Sequence, residues 1–212
     1  MKGFKTLSLA TQVFEKLESN IVSGVYPRGE VLTELKLVEQ LGVSRTPIRE
    51  ALQRLEQERL IEDTGKGSVV LGITEQDLVD IMDVRYQLEG TAAYYATQNA
   101  TEAELDELHQ ITELQEFYYS KKDFENLRLM DDRFHEAIYQ FSGHKVIQDI
   151  LVSMHRKSQR YRRISISNAE RTKKVVQEHY AIYEAMADRN PELAKERIMN
   201  HIARAKKSMV GE

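Results

Sequence analysis

LVEQLGVSRTPIREALQRL, residues 37–55, decides the fold of the amino-terminal part of the chain. Its first residues close a short helix that we expect over 34–41, and Gly42-Val43 then interrupt the helical pattern for about one turn. Ser44 has the side chain of an N-cap, so a new helix begins there and runs to about residue 58. The stretch therefore predicts two short helices joined by a tight turn.

The flanking sequence adds a helix before this pair and a hairpin after it. Apolar residues recur at helical spacing from Leu9 to Ile21, and GVYPRG at 24–29 ends that helix with a turn. The sequence DTGKG at 63–67 predicts a tight turn between two short strands, the second of which covers 68–71. The order helix, helix, turn, helix, hairpin predicts a winged helix-turn-helix over residues 1–72.

The third helix has one apolar and one polar face. At about 100° per residue, one arc holds the polar side chains of Arg45, Thr46, Arg49 and Gln53. Arginine can bond a guanine edge or a phosphate, glutamine can pair with adenine, and the helix start at Ser44 can donate to phosphate. Lys66, at the hairpin tip, can reach phosphate or the minor groove. A solvated helix face without a ligand would show the same periodicity.

Residues 37–55 closely resemble the helix-turn-helix signature of the GntR family of bacterial transcription regulators. Residues 24–29 and the wing tip also match that family's pattern, so the resemblance covers nearly all of residues 9–71. It implies DNA contacts by Arg45, Thr46, Arg49 and the Lys66-Gly67 tip. The family often has an arginine where this chain has Leu35, so no contact is assigned there. With the polar face included, the candidate DNA-contacting residues are Ser44, Arg45, Thr46, Arg49, Gln53, Lys66 and Gly67.

The remainder of the chain, residues 73–212, shows helical patterning almost throughout. Caps or stops occur at 99–101, 121–122, 142–143 and 190–191. They separate six segments, at about 75–98, 102–119, 123–141, 144–165, 169–188 and 191–208. We therefore expect an all-α antiparallel bundle of six helices behind the winged helix-turn-helix, and a mainly α fold overall.

Polar side chains occur on the apolar faces of three of these helices. Asp131 and His135 lie one turn apart on the apolar stripe of the segment 123–141. His179 and His201 each lie among apolar residues of a later helix. Burying these groups costs free energy unless they are paired or bind a metal ion. One such histidine is more often a satisfied core residue, but their joint placement favours a metal site.

The same residues are similar to the metal-binding pattern of the FCD domain, which occurs in the FadR subfamily of GntR regulators. The matching stretches are 131–135, 178–179 and 201–202, and six helices fit the VanR-type branch of that domain. The resemblance implies the ligands Asp131, His135, His179 and His201. Three imidazoles and a carboxylate suit zinc or nickel, or manganese or iron with added water.

Other polar groups near this pattern are left out of the predicted site. Asp132 and Glu178 turn away from the inner faces of their helices. His155 turns away from the apolar stripe formed by Val146, Ile150 and Met154, and it is therefore not expected to bind metal.

Arg85 lies on the predicted inner face of the first bundle helix. A buried guanidinium requires an anion. One candidate is Glu89, one turn further along, which would form an internal ion pair. The other is a small carboxylate effector that also completes the metal shell. The stretch 83–89 is similar to the beginning of the family's effector domain, so we expect Arg85 to bind the effector.

Composition bounds the class of protein. The chain has 30 basic and 34 acidic residues, a net charge of −4 and no cysteine, which excludes disulfides and thiol chemistry. Residues 1–72 contain ten residues of each sign, so any attraction for DNA must come from a local patch and should weaken with salt. Because the chain shows no long apolar run or secretory signal, we expect a cytoplasmic protein without a membrane contact.

These observations predict a transcriptional repressor rather than an enzyme. We expect it to bind a palindromic DNA operator as a homodimer, because one recognition helix covers only half of a two-fold site. A divalent metal ion and a small organic acid would modulate this binding. Two alternatives use the same residues: a metalloenzyme with the Asp and three His at its centre, and a regulator whose metal is purely structural.

Overall fold

The computed structural model describes residues 7–158 and 169–210. The chain divides into two compact units, Met1–Thr74 and Glu75–Glu212. The described residues are mainly helical, as predicted, and a small sheet occurs in the first unit. Among them, no helix is both long enough and apolar enough to cross a membrane.

The first unit is a winged helix-turn-helix. Its elements are α1 (Leu9–Val22), β1 (Val31–Leu32), α2 (Glu34–Leu41), α3 (Arg45–Gln57), β2 (Ile61–Asp63) and β3 (Ser68–Val70). The strands form an antiparallel sheet in the order β1-β3-β2. β2 and β3 are the predicted hairpin, whereas β1 was not predicted, because two residues are too few to show an alternating pattern.

The two faces of α3 separate as its periodicity predicts. Ile48, Ala51 and Leu55 are fully buried against a core that includes Phe14 and Leu17 of α1. The turn before α3 begins at Gly42, which ends α2 in the left-handed conformation with φ +66°. Ser44 occupies the N-cap as expected, although its side chain makes no capping hydrogen bond. The polar face of α3 therefore points away from the core.

The described residues of the second unit form helices at the six predicted places. They are α4 (Glu75–Asn99), α5 (Glu102–Lys121), α6 (Phe124–Phe141), α7 (Lys145–Lys157), α8 (Ala169–Ala187) and α9 (Pro191–Val210). The predicted breaks correspond to real caps: Thr101 and Glu104 form a capping box, and Asp123 caps α6. Residues 159–165, which were expected to extend the fourth helix, lie outside the described residues.

Among the described residues, the core of the second unit combines an apolar cluster with buried polar groups. Helices α4, α5, α6, α8 and α9 contribute to a cluster that includes Ala92, Leu108, Ile138, Ile182 and Ile198. Charged and imidazole side chains are buried beside it on the same helices. Since such groups are rarely buried without partners, they are the feature of the bundle that requires a chemical explanation.

Candidate DNA-binding surface and metal centre

The polar face of α3 is exposed and continuous with the hairpin. Of the candidate DNA-contacting residues, all but Gly67 are exposed. A groove of about 410 Å³ lies between α3 and the hairpin and is lined by Arg49, Gln53, Lys66 and Gly67. Ser44, Arg45 and Thr46 are at the amino-terminal end of α3, outside this lining. The polar face of α3 and the hairpin formed by β2 and β3 are thus the two sides of one concave surface.

The tip of the hairpin is held by hydrogen bonds within the turn. The hydroxyl of Thr64 donates to the Gly67 carbonyl at 2.7 Å, and the Gly65 amide donates to Asp63 at 2.9 Å. Gly67 has φ +141°, and a Cβ there would lie 2.8 Å from Val31 Cγ1 and 3.0 Å from the Leu32 carbonyl oxygen. Only glycine fits this approach of the hairpin to β1, which presents Lys66 at the tip.

Acidic residues, which were not predicted from the sequence, also line the groove. Glu34 Oε1 accepts a hydrogen bond from Arg49 Nε at 2.7 Å, and both side chains are partly exposed. This bond lowers the pKa of Glu34. Glu56 and Asp63 contribute further carboxylates to the lining. The groove is therefore mixed in charge, in agreement with the balanced charge of residues 1–72.

The four predicted metal ligands are buried together in the helical unit. His135, His179 and His201 each offer a ring nitrogen, and these nitrogens lie within 4.8 Å of one another. Asp131 Oδ1 lies 3.8 Å from His179 Nε2. The ligands come from α6, α8 and α9, and each is nearly inaccessible to solvent. Residues 70 positions apart in the chain thus converge on one small volume.

Each of the three imidazoles is oriented by a hydrogen-bond acceptor on another helix. His135 Nδ1 donates to Glu89 Oε2 at 2.8 Å, and His201 Nδ1 donates to Glu178 Oε2 at 2.8 Å. His179 Nδ1 lies 3.0 Å from the Gln115 amide oxygen, whose orientation is set because Gln115 Nε2 donates to the Met130 carbonyl. A neutral ring bonded in this way carries its proton on Nδ1, which leaves a lone pair on Nε2.

These tautomers produce a contact that suits a cation. The Nε2 atoms of His179 and His201 are 3.3 Å apart, and with both protons on Nδ1 neither atom can donate to the other. Burial lowers the pKa of His201, which favours its neutral ring. Lone pairs facing each other repel unless an electrophile lies between them. The donor set therefore fits a divalent metal ion, and a metal ligand hydrogen-bonded through its second nitrogen is a common arrangement in such sites.

Glu178 is a member of this centre although its helical position suggested otherwise. Its carboxylate accepts from His201 and from Arg171 and Arg204. Burial alone would raise the pKa of Glu178, but the hydrogen bonds from His201 and Arg171 lower it to about 2. Gln115 was also missed, although a polar side chain on the buried face of α5 is the same signal that identified Asp131.

Arg85 forms the internal ion pair considered from the sequence. Its side chain is 1% exposed, and its Nε donates to Glu89 Oε1 at 2.7 Å. Its Nη1 donates to the Ser158 hydroxyl at 3.1 Å. Burial would raise the pKa of Glu89, but Arg85 and His135 hold it well below its ordinary range. Glu89 thus connects Arg85 to His135, one of the predicted ligands.

The assignment of His155 to the outside of its helix was wrong. His155 is 2% exposed, whereas Val146 and Ile150 are 73% and 40% exposed. The apolar stripe of α7 therefore faces outward, and the opposite face packs inward. His155 Nε2 contacts Asp132 Oδ1 at 3.1 Å, so Asp132 also points into the bundle. Glu89, His135 and His155 form a second group that could hold a cation, which shares His135 with the first.

Comparison with known proteins decides the family. The model of the "Bacterial regulatory proteins, gntR family" matches residues 9–70, and that of the FCD domain matches residues 80–204. The "Uncharacterized HTH-type transcriptional regulator YdhC" of Bacillus subtilis (strain 168) is 30% identical over 193 residues, covering 90% of this chain and 86% of that protein. The chain belongs to the gntR family of bacterial regulatory proteins. The predicted GntR and FCD resemblances are thereby confirmed.

Other members of the gntR family support the same assignment. The "Gluconate operon transcriptional repressor" of Bacillus subtilis (strain 168) is 32% identical over 149 residues, covering 70% of this chain and 61% of that protein. The solved structure of E. coli McbR/YncC has the same fold, with a TM-score of 0.79 at 23% identity over 94% of this chain and 95% of that one. The family consists of transcriptional regulators rather than enzymes, which removes the basis of the metalloenzyme alternative.

Proposed function

We propose that this gntR-family regulator binds a palindromic operator as a cytoplasmic homodimer, and that a metal ion and a small carboxylate in its helical unit modulate this binding. The observation that carries the proposal is the convergence of three buried imidazoles whose Nδ1 atoms are all bonded to acceptors. Burying these polar groups costs free energy that a purely apolar core would avoid. We therefore infer that the polar centre serves to bind an ion.

The DNA half of the proposal assigns a role to each part of the concave surface. The exposed guanidinium groups of Arg45 and Arg49 suit guanine edges or phosphates, and Gln53 suits adenine. Ser44 and Thr46 lie where the amino terminus of α3 offers amides to a phosphate. Lys66 and Gly67 would contact the backbone beside the groove. A single α3 reads one half-site, so the proposed operator is two-fold symmetric and the protein dimeric.

The metal half assigns the ligands to Asp131, His135, His179 and His201. Zinc or nickel suits this set, and manganese or iron would be accommodated with added water. When bound, the ion supplies a Lewis acid that can accept a carboxylate oxygen of the effector. Glu89, Gln115 and Glu178 hold the three rings through their Nδ1 atoms, which leaves each Nε2 for the ion.

The effector proposed is a small organic acid that also meets Arg85. Arg85 is paired with Glu89, so an incoming carboxylate would share or replace that contact. The name of one relative, the gluconate operon repressor, points to sugar acids as one class of compound to test. An effector that binds one arrangement of the helical unit more tightly changes DNA affinity by its differential affinity for the two arrangements. Relatives named as repressors favour a repressor here too.

Calorimetric titration of the metal-loaded full chain tests the effector role. The titrants are mono-, di- and tricarboxylates and sugar acids, including gluconate. We expect one class to bind wild type and to bind Arg85→Ala at least about tenfold more weakly, since a hydrogen bond to a charged group contributes about 1.5–3 kcal/mol. Arg85→Lys, which keeps the charge opposite Glu89 but loses the planar fork, serves as the folding control. Equal binding by all three proteins would contradict the role of Arg85.

A further inference from the structure

Glu34 occupies a particular place on the DNA-binding surface. It is the first residue of α2, where Thr33 caps the helix by accepting from the Lys36 amide. From this position its carboxylate reaches across to α3 and accepts from Arg49 Nε at 2.7 Å. One of the arginines proposed to contact DNA is thus held by a carboxylate on the neighbouring helix.

The hydrogen bond uses one particular edge of Arg49. A guanidinium has five N–H groups, and Glu34 accepts from Nε. The bond to Glu34 leaves the two Nη groups to donate, and these can form two parallel hydrogen bonds to a guanine edge. The Arg49 and Glu34 side chains are 63% and 36% exposed and both line the groove. A base edge entering the groove can therefore meet Arg49 while Glu34 holds it.

A DNA phosphate, unlike a base edge, is attracted weakly by the pair of Arg49 and Glu34. Contact with DNA backbone at any sequence depends on net positive charge, and Glu34 cancels the charge of Arg49 locally. A phosphate that approached Arg49 would also be repelled by the carboxylate. Hydrogen bonds to a guanine edge carry no such requirement for net charge. The pair therefore discriminates between the two kinds of DNA contact that arginine can make.

We propose that Glu34 is a specificity-determining residue: it holds Arg49 for a base contact and weakens binding to DNA that lacks the operator. The inference rests on the proposed contact between Arg49 and DNA. The competing explanation is an ordinary ion pair that joins α2 to α3. An exposed pair of this kind contributes little to stability, so the two explanations differ in DNA binding rather than in folding.

Glu34→Gln in the full chain provides the test, with Glu39→Gln as the matched control. Glu39 is an exposed glutamate of the same helix, so both variants lose one negative charge from α2. Each protein is titrated with a random-sequence duplex over a range of salt concentrations. We expect Glu34→Gln to bind roughly two- to fivefold more tightly than the control. Its affinity should also fall more steeply with salt, by about one released counterion per protomer.

Sequencing of duplexes retained from a pool with a randomised centre completes the test. Wild type and Glu39→Gln should enrich one motif, and Glu34→Gln should enrich it with reduced preference at the positions that Arg49 reads. Arg49→Ala tests the underlying contact, because an unchanged motif in that variant would remove the role of Arg49 itself. If Arg49→Ala loses the preference while Glu34→Gln matches the control in both assays, the role of Glu34 is overturned. Loss of all binding by Glu34→Gln would also overturn it.

Discussion

At the scale of single residues, the proposed metal centre depends on which nitrogen of each imidazole carries the proton. His179 and His201 direct their Nε2 atoms at each other across 3.3 Å because Gln115 and Glu178 accept from their Nδ1 atoms. A hydrogen-bonded pair of core histidines would need one ring to donate to the other, which two neutral rings protonated on Nδ1 cannot do. The geometry therefore supports the proposed ligand cluster.

His179→Ala should remove metal binding and His155→Ala should not. We expect the ligand variant to lose more than the 10- to 100-fold in metal affinity that is typical of an altered outer partner. Competition with a chromophoric chelator measures the affinity of both variants. His155 is the matched control, since it is a buried histidine of the same unit that contacts Asp132 and is not one of the proposed ligands. The opposite result would place the ion at the group formed by Glu89, His135 and His155.

Arg49→Ala should remove the sequence preference at the positions that Arg49 reads without unfolding the protein. The side chain is 63% exposed, and substitutions at such sites usually change stability by no more than about 0.5 kcal/mol. Selection from a randomised duplex pool measures the preference, and circular dichroism confirms the fold. Arg28→Ala removes an exposed arginine of the same unit and is the charge control. An enriched motif identical to that of wild type would show that Arg49 reads no base.

At the scale of elements, the hairpin depends on one glycine. Gly67→Ala should destabilise the first unit, because φ +141° is unfavourable for alanine and its Cβ would approach Val31 and the Leu32 carbonyl. We expect a cost of about 1–3 kcal/mol. Gly65→Ala also has positive φ but meets nothing within 4 Å, so it isolates the effect of backbone strain. Urea unfolding followed through NMR signals of the sheet gives both values. Equal costs would contradict the steric argument.

The elements also show what the sequence could and could not predict. In α3, the buried positions Ile48, Ala51 and Leu55 match the apolar arc, because one side of this helix has a core to pack against. In α7 the same reasoning failed: Val146 and Ile150 form a clear stripe but lie exposed, while His155 is buried. Periodicity identifies two faces of a helix and does not state which one the rest of the fold covers.

The hydrogen-bond acceptors of the three imidazoles could not be predicted from the pattern of a single helix. Gln115, Glu89 and Glu178 contact rings on other helices, over sequence separations of 64, 46 and 23 residues. The burial of the four proposed ligands could be predicted because each is a polar group within an apolar stripe. Whether a neighbouring helix brings an acceptor within 3 Å depends on tertiary packing.

At the scale of the whole molecule, the net charge does not indicate that the protein binds DNA. Residues 1–72 carry ten positive and ten negative residues, and the excess of four negative charges lies in the remainder of the chain. The balance in the first part includes the pair of Arg49 with Glu34. DNA affinity must therefore arise from local geometry, and this agrees with a protein that selects sequences rather than one that coats DNA.

The central claim is that the buried centre controls DNA binding, and DNA affinity in four states of the full chain tests it most directly. The states are metal-loaded and chelated protein, each with and without the organic acid found by calorimetry, titrated with a duplex of the enriched motif. We expect the acid to change the affinity for DNA by about 5- to 150-fold in metal-loaded protein and to have no effect on chelated protein. The same affinity in all four states, with metal changing only thermal stability, would contradict it and leave the metal a structural role.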